Sequence, residues 1–226
     1  MKKYNLLLLD ADDTLFDFAP AEKAAFQAAC KAMDVTVTKE QFGTYCDINK
    51  MMWSAFCRKE VTQEELLPQL FSLFSDAIGV PFDVEQMADH FVEALSLQTQ
   101  EIDGALELVR EASNLVPIVI VTNGIAKVQH ARFSRSPIGR YIAGMVISGE
   151  AGFAKPDARI IECAVRISAL PDANPLMVGD ELSSDIAAAN AAGIDSCWFN
   201  PGGRANDTPY RPTYEIRSLS EVMRWL

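Results

Sequence analysis

No run of apolar residues in the 226-residue chain approaches the ~20 that a membrane-spanning helix needs. The apolar positions that follow Met1-Lys2-Lys3 are also too few for the hydrophobic part of a signal peptide, so a cytoplasmic protein is expected. Cysteine is sparse and scattered. Cys30, Cys46, Cys57, Cys163 and Cys197 form no Cys-x-x-Cys pair and are odd in number, which argues for reduced thiols and against zinc or disulfides. Basic runs are missing and the net charge is −11, which argues against sequence-independent binding to nucleic acid. The chain has no Gly-x-Ser-x-Gly elbow and no Walker-type phosphate loop. Its two histidines, His90 and His130, fall within helical patterns and read as ordinary helix residues.

What is present begins with four leucines. Leu6 to Leu9 run straight into Asp10-Ala11-Asp12-Asp13-Thr14. A short apolar run that stops abruptly reads as a buried central strand of a parallel sheet. The carboxylates of Asp10 and Asp12 then fall where such sheets bind ligands. Two crowded aspartates repel one another, so a cation or a proton is expected between them. Taken alone, the segment could also be a polar loop with helix-capping aspartates.

After Thr14 the pattern is helical for about eighty residues, with helices expected over Pro20–Met33, Gln41–Arg58, Thr62–Ile78 and Val84–Leu97. Thr62-Gln63-Glu64-Glu65 resembles a capping box. From Asp103 onward strands and helices alternate. Strands are expected over Val116–Val121, Met145–Ser148, Leu176–Val178, Cys197–Phe199 and Tyr214–Ile216. Helices are expected over Gly104–Glu111, Ala126–Arg135, Asp157–Ser168 and Ser184–Ala192, with a terminal helix after them. This alternation predicts right-handed crossovers and a doubly wound parallel sheet. The helical block is then an insertion after the first strand, which gives a core of residues 1–16 and 99–226 and an inserted domain of residues 17–98.

Polar residues end four of the strands, and in such a fold those ends share one edge. Asp10 and Asp12 follow the first, Thr122-Asn123-Gly124 the second, Lys155-Pro156-Asp157 the third, and Gly179-Asp180 with Asp185 the fourth. Singly, each has a plainer reading as a turn, a helix cap or a solvated lysine. Together they supply oxygen ligands for Mg²⁺ and donors for phosphate oxygens.

The four segments resemble those of the haloacid dehalogenase-like (HAD) phosphohydrolases over essentially the whole chain. The resemblance implies an α/β, Rossmann-like core with an inserted helical cap domain. It also implies a phosphomonoester hydrolase working through an aspartyl-phosphate. Asp10 would be the nucleophile and Asp12 the acid and base. Thr122, Asn123 and Lys155 would hold the phosphoryl group. Mg²⁺ would sit on Asp10, the main-chain carbonyl of Asp12, and Asp180, with Asp185 behind them. Asp12 argues against the family's dehalogenases, because a halide leaves without needing a proton.

Within the insertion, Asn49-Lys50-Met51-Met52-Trp53 and Val61-Thr62 are similar to a subgroup acting as pyrimidine 5′-nucleotidases, as is Trp198-Phe199-Asn200. There Trp53 could stack a base and Asn49 read its edge, although aromatics at helical spacing are more often packing. Leu70 stands where that subgroup commonly carries arginine. The expected ligand is a small phosphorylated metabolite, a nucleoside monophosphate first, with neither a nucleic-acid polymer nor a membrane as partner. Alternatives are a phosphatase of small acids or sugars such as phosphoglycolate, and a non-catalytic phosphate-ligand-binding protein on the same fold.

Overall fold

Strand β1, Leu6–Leu9, is buried at every position, each leucine contributing about 1.5–3 kcal/mol relative to exposure. A computed structural model of the chain describes residues 3–226 and places β1 inside a six-stranded parallel sheet. The remaining strands are β2 (Ile118–Thr122), β3 (Gly144–Ile147), β4 (Pro175–Gly179), β5 (Asp195–Phe199) and β6 (Tyr214–Ile216), in the order β3-β2-β1-β4-β5-β6. Leu8 pairs with Val119 on one side and Met177 on the other. Side chains alternate across the sheet as a period of two requires. Leu7, Leu9, Ile118, Ile120, Leu176 and Val178 belong to one apolar cluster, and Leu6, Leu8, Val119, Val121 and Met177 to the other. Strand order reverses at β1, so its C-terminal end is the switch point where such sheets take ligands.

The chain divides into two compact units, residues up to Phe18 with Thr99–Leu226, and Ala19–Gln98. The second unit is helical: α1 (Phe18–Ala32), α2 (Lys39–Cys57), α3 (Gln63–Ile78) and α4 (Val84–Leu95). Thr38 with Gln41, and Thr62 with Glu65, form reciprocal capping boxes that set the starts of α2 and α3. Aromatic side chains fill the centre: Phe26, Tyr45, Phe71, Phe74 and Phe91 are buried with ring centroids about 4–6 Å apart. Leu70 is fully buried beside them, so in this chain the position is an apolar core position.

In the first unit the crossovers are α5 (Ala105–Ala112), α6 (Ala126–Arg135), α7 (Ser148–Ala151), α8 (Ala158–Ile167) and α9 (Ala187–Ala192). Four local departures from the expected elements stand out. Strand β2 starts at Ile118 rather than Val116, after Pro117, and runs on to Thr122, which makes Thr122 its last residue. The helix expected from Ser184 opens instead as a π-helical turn, Leu182–Ile186, because the Asp185 carboxylate turns back to accept the Glu181 N–H at 3.0 Å. The terminal helix is 3₁₀, Leu219–Trp225, started by Ser218 and Glu221 in a capping box. Pro137–Tyr141 adds a 3₁₀ turn after α6 that the apolar pattern did not announce.

Candidate active site

Asp10 is the first residue past β1, and its N–H donates to the Val178 carbonyl of β4 at 3.0 Å, which keeps it on the sheet edge. The chain then turns sharply. Asp13 has φ 56°, a left-handed conformation that aspartate tolerates better than most residues. Its N–H donates to the Phe16 carbonyl at 2.8 Å and its carboxylate accepts the Phe18 N–H at 3.1 Å. This turn sets Asp10 and Asp12 apart in environment although they are two residues apart in sequence.

Lys155 joins the cluster from the loop before α8. It is 2% exposed, and its Nζ lies 2.6 Å from Asp10 Oδ1 and 2.6 Å from Asp185 Oδ1. Asn123 positions that lysine through its backbone: Asn123 Oδ1 accepts the Lys155 N–H at 2.8 Å, and Asn123 Nδ2 donates to the Lys155 carbonyl at 2.9 Å. Thr122 is buried at the tip of β2, where its Oγ1 accepts the Gly124 N–H at 3.0 Å and keeps its own proton to donate. Asp180 follows β4, its main-chain carbonyl held by Trp198 Nε1 at 2.8 Å and by Arg204 Nη2 at 2.7 Å. Asn200 bonds the Arg204 N–H and carbonyl and closes the loop that delivers this arginine. Gly179 is required by close approach, since a Cβ there would lie 2.3 Å from the Asp185 carboxylate.

Asp10, Asp180 and Asp185 each offer a carboxylate oxygen within 4.8 Å of the others. Burial, then repulsion from Asp185, pushes the Asp10 carboxyl up to about 8 against the opposing pull of Lys155. Burial and the Asp185 and Asp10 charges likewise raise Asp180 well above the usual carboxylate range. Burial pulls Lys155 down, but Asp10 and Asp185 outweigh it and hold the ammonium charged. Asp10 and Asp185 are buried, Asp180 is half-buried with Arg204 Nη2 3.7 Å from its carboxylate, and Lys155 is the cation that touches the two buried ones. Hard oxygen donors so placed fit a divalent cation such as Mg²⁺. Beside it lies a cavity of about 680 Å³ whose wall carries Asp13, Asp17, Glu101, Asp103 and Asp180 against Arg204 and Arg217. That wall is net acidic, five carboxylates against two guanidinium groups.

Sequence reasoning missed Gln129, Arg132 and Arg204. Gln129 Nε2 donates to Asp12 Oδ2 at 2.7 Å, and the Arg132 guanidinium pairs with Asp12 Oδ1. Their signal was available: α6 buries Val128, Gln129, Arg132 and Phe133 on one face, and two polar residues on an inward stripe need an acceptor. In the inserted unit Asn49 is buried and donates to Glu22 Oε1 at 2.5 Å, while Trp53 meets Phe56 edge-on with ring centroids 5.7 Å apart.

A family model described as haloacid dehalogenase-like hydrolase matches residues 7–199. The HAD-hydrolase YfnB of Bacillus subtilis is 32% identical over 98% of this chain and 95% of its own length. The pyrimidine 5′-nucleotidase PynA of Streptococcus pneumoniae is 32% identical over 97% of this chain and 94% of its own. The pyrimidine 5′-nucleotidase YjjG of Escherichia coli is 30% identical over 99% and 98%. A crystal structure of YfnB bound to magnesium matches with a TM-score of 0.91 at 31% identity, covering 99% of this chain and 98% of that one. The chain belongs to the haloacid dehalogenase-like hydrolases. Among its described residues no helix is long and apolar enough to cross a membrane.

Proposed function

We propose that the chain is a Mg²⁺-dependent phosphomonoesterase that works through an aspartyl-phosphate on Asp10 and takes pyrimidine nucleoside 5′-monophosphates. The observation that carries the chemistry is the buried cluster in which Lys155 bridges Asp10 and Asp185 while Asp180 stands within ligand distance. Asp10, Asp180 and the main-chain carbonyl of Asp12 would hold the metal, with Asp185 fixing Lys155 and the turn after β4. When bound, Mg²⁺ supplies charge that offsets the phosphoryl oxygens.

The chain's own residues divide the work. An Asp10 carboxylate oxygen attacks phosphorus, and the ester oxygen departs with its electron pair and takes a proton from Asp12. Lys155 and Thr122 hold the phosphoryl oxygens, and Asn123 keeps Lys155 in place. Asp12 then takes a proton from the water that attacks phosphorus and frees Asp10. Residues up to 16 with 99–226 form the catalytic core in this reading, and the inserted helices choose the substrate.

The nucleotide assignment draws on the PynA and YjjG relatives and on the Asn49 and Trp53 segment. A second reading, a phosphatase of small acids or sugars, is favoured by the inserted unit itself. There the Asn49 amide is taken by Glu22, Trp53 packs on Phe56, and Leu70 is core. Phosphate release with Mg²⁺ from UMP, dUMP, dTMP, AMP, phosphoglycolate and hexose phosphates separates the two, with Asp10→Asn as the blank. Preference for the pyrimidine monophosphates supports the first reading. Preference for the acids or sugars keeps the chemistry and discards the nucleotidase. No release from any of them by folded, Mg²⁺-loaded protein would overturn both.

A further inference from the structure

The carboxylate of Asp12 is held on both oxygens, and the roles assigned above do not use the groups that hold it. Gln129 Nε2 donates to Oδ2 at 2.7 Å, and the Arg132 guanidinium pairs with Oδ1. Arg132 is fully buried, and such a charge is costly unless its partner is well placed. Its guanidinium carbon lies 4.4 Å from the centroid of the Phe16 ring, which packs edge-on against Phe133 at 5.0 Å. Phe16 in turn closes the turn that starts at Asp13. Gln129 and Arg132 stand one helical turn apart on the inward face of α6, the helix that begins just past Thr122-Asn123-Gly124. A Cβ at Gly124 would lie 2.2 Å from Gln129 Nε2, so the glycine leaves room for the amide to reach Asp12.

An ion pair meant only to pin α6 to the loop would need one contact. Here a planar donor and a second, neutral donor grip opposite oxygens of the same carboxylate, and the arginine is itself clamped against an aromatic ring. Such an arrangement fixes the plane of a side chain and removes its rotameric freedom. We propose that Gln129 and Arg132 are positioning residues for phosphoryl transfer, holding the Asp12 carboxyl in the orientation that meets the departing ester oxygen. The proposal rests on the phosphomonoesterase reading. In the step it serves, a bond forms between an Asp10 oxygen and phosphorus while the bond from phosphorus to the ester oxygen breaks. The electron pair stays on that oxygen, which accepts the Asp12 proton and leaves as an alcohol.

An alkyl leaving group needs that proton; p-nitrophenolate, a stable anion, scarcely does. The test is therefore the second-order rate constant for leaving-group release in the first turnover, measured with Mg²⁺ on p-nitrophenyl phosphate and on UMP (phosphoglycolate if the substrate panel selects it). Asp12→Asn sets the scale of a lost acid. Gln129→Leu and Arg132→Met are expected to slow the alkyl ester at least about tenfold more than the aryl ester. Equal losses on the two esters would reduce both residues to structural support, and unchanged rates would remove them from the reaction. Either result overturns the proposal. If Arg132→Met fails to fold, judged by circular dichroism, Gln129→Leu decides by the same ratio. The underlying reading fails separately: it falls if the wild type cleaves neither ester, or if Asp12→Asn slows both alike.

Discussion

The two edges of one sheet treat aspartate in opposite ways. At the C-terminal edge buried Asp10 and Asp185 crowd against half-buried Asp180, and desolvation with mutual repulsion drives the carboxyls of Asp10 and Asp180 upward. At the N-terminal edge Asp195 stands alone among donors. Tyr4 reaches its Oδ2 at 2.6 Å, Thr213 its Oδ1 at 3.0 Å, and Lys3 lies 3.5 Å away. There the Tyr4 hydrogen bond, helped by Thr213 and Lys3, holds the carboxyl below its usual range. The Tyr4 and Tyr214 hydroxyls meet at 3.0 Å, and Tyr214 stacks on Trp225 with ring centroids 4.1 Å apart. Both edges are built from strand termini of the same topology, so the fold does not force the contrast. One edge stores repulsion that a ligand can relieve, and the other ties the strand starts together. Cost concentrated at a ligand-binding edge is a mark of function rather than of stability.

Substitutions should separate the edges. The largest effect is expected at the crowded one: Asp10→Asn and Asp12→Asn each cut steady-state phosphate release roughly 10⁴-fold with the fold intact. Retention of more than a few per cent of wild-type turnover would strip those residues of their roles. Next, EDTA should stop turnover and added Mg²⁺ restore it. Turnover that survives exhaustive chelation would remove the metal from the scheme. A smaller effect of the opposite sign is expected for stability. In metal-free protein Asp180→Asn removes a desolvated charge and its repulsion, which should outweigh the loss of the 3.7 Å Arg204 pair and raise Tm by a few degrees at most, while abolishing Mg²⁺ binding. A lower Tm would mean that the cluster is not strained.

At the quiet edge Tyr4→Phe should lower stability by about 1 kcal/mol and leave turnover unchanged, as thermal melts and activity assays would show together. The smallest effect is in pH. Because the Asp195 carboxyl is held low in the folded state, its stabilisation is present above its ordinary value of 3.8 and is lost as pH falls through the folded one. Tyr4→Phe should therefore blunt the fall of Tm on acidification, and an unaltered acid slope would place that sensitivity elsewhere.

What could be read from the chain depended on range. Leu6–Leu9, the β-branched run ending at Thr122, and the Thr62 capping box are local patterns, and they announced β1, β2 and α3 in sequence. The polar tips of successive strands announced that Asp10, Thr122, Lys155 and Asp180 share an edge, because parallel topology alone brings them there. Other features depend on side chains reaching across the fold. That Lys155 bridges Asp10 and Asp185, that Asn123 grips the Lys155 backbone, and that Asp185 bends a helix start into a π turn are long-range or geometric facts with no period to reveal them. Arg132 lies between these cases. Its place on the buried face of α6 was legible, but its partner, 120 positions earlier, was not.

The most direct test of Asp10 as the group that receives phosphorus uses Asp12→Asn with Mg²⁺ and p-nitrophenyl phosphate. In the proposed scheme the first step needs little acid for this ester, whereas the second relies on Asp12 to activate water, so the intermediate should accumulate. Acid quenching followed by peptide mass mapping is expected to find one phosphoryl group on Asp10 in near-stoichiometric amount, matched by a burst of p-nitrophenol. Release of p-nitrophenol with no phosphoryl group on Asp10, or with the group on another residue, would contradict it.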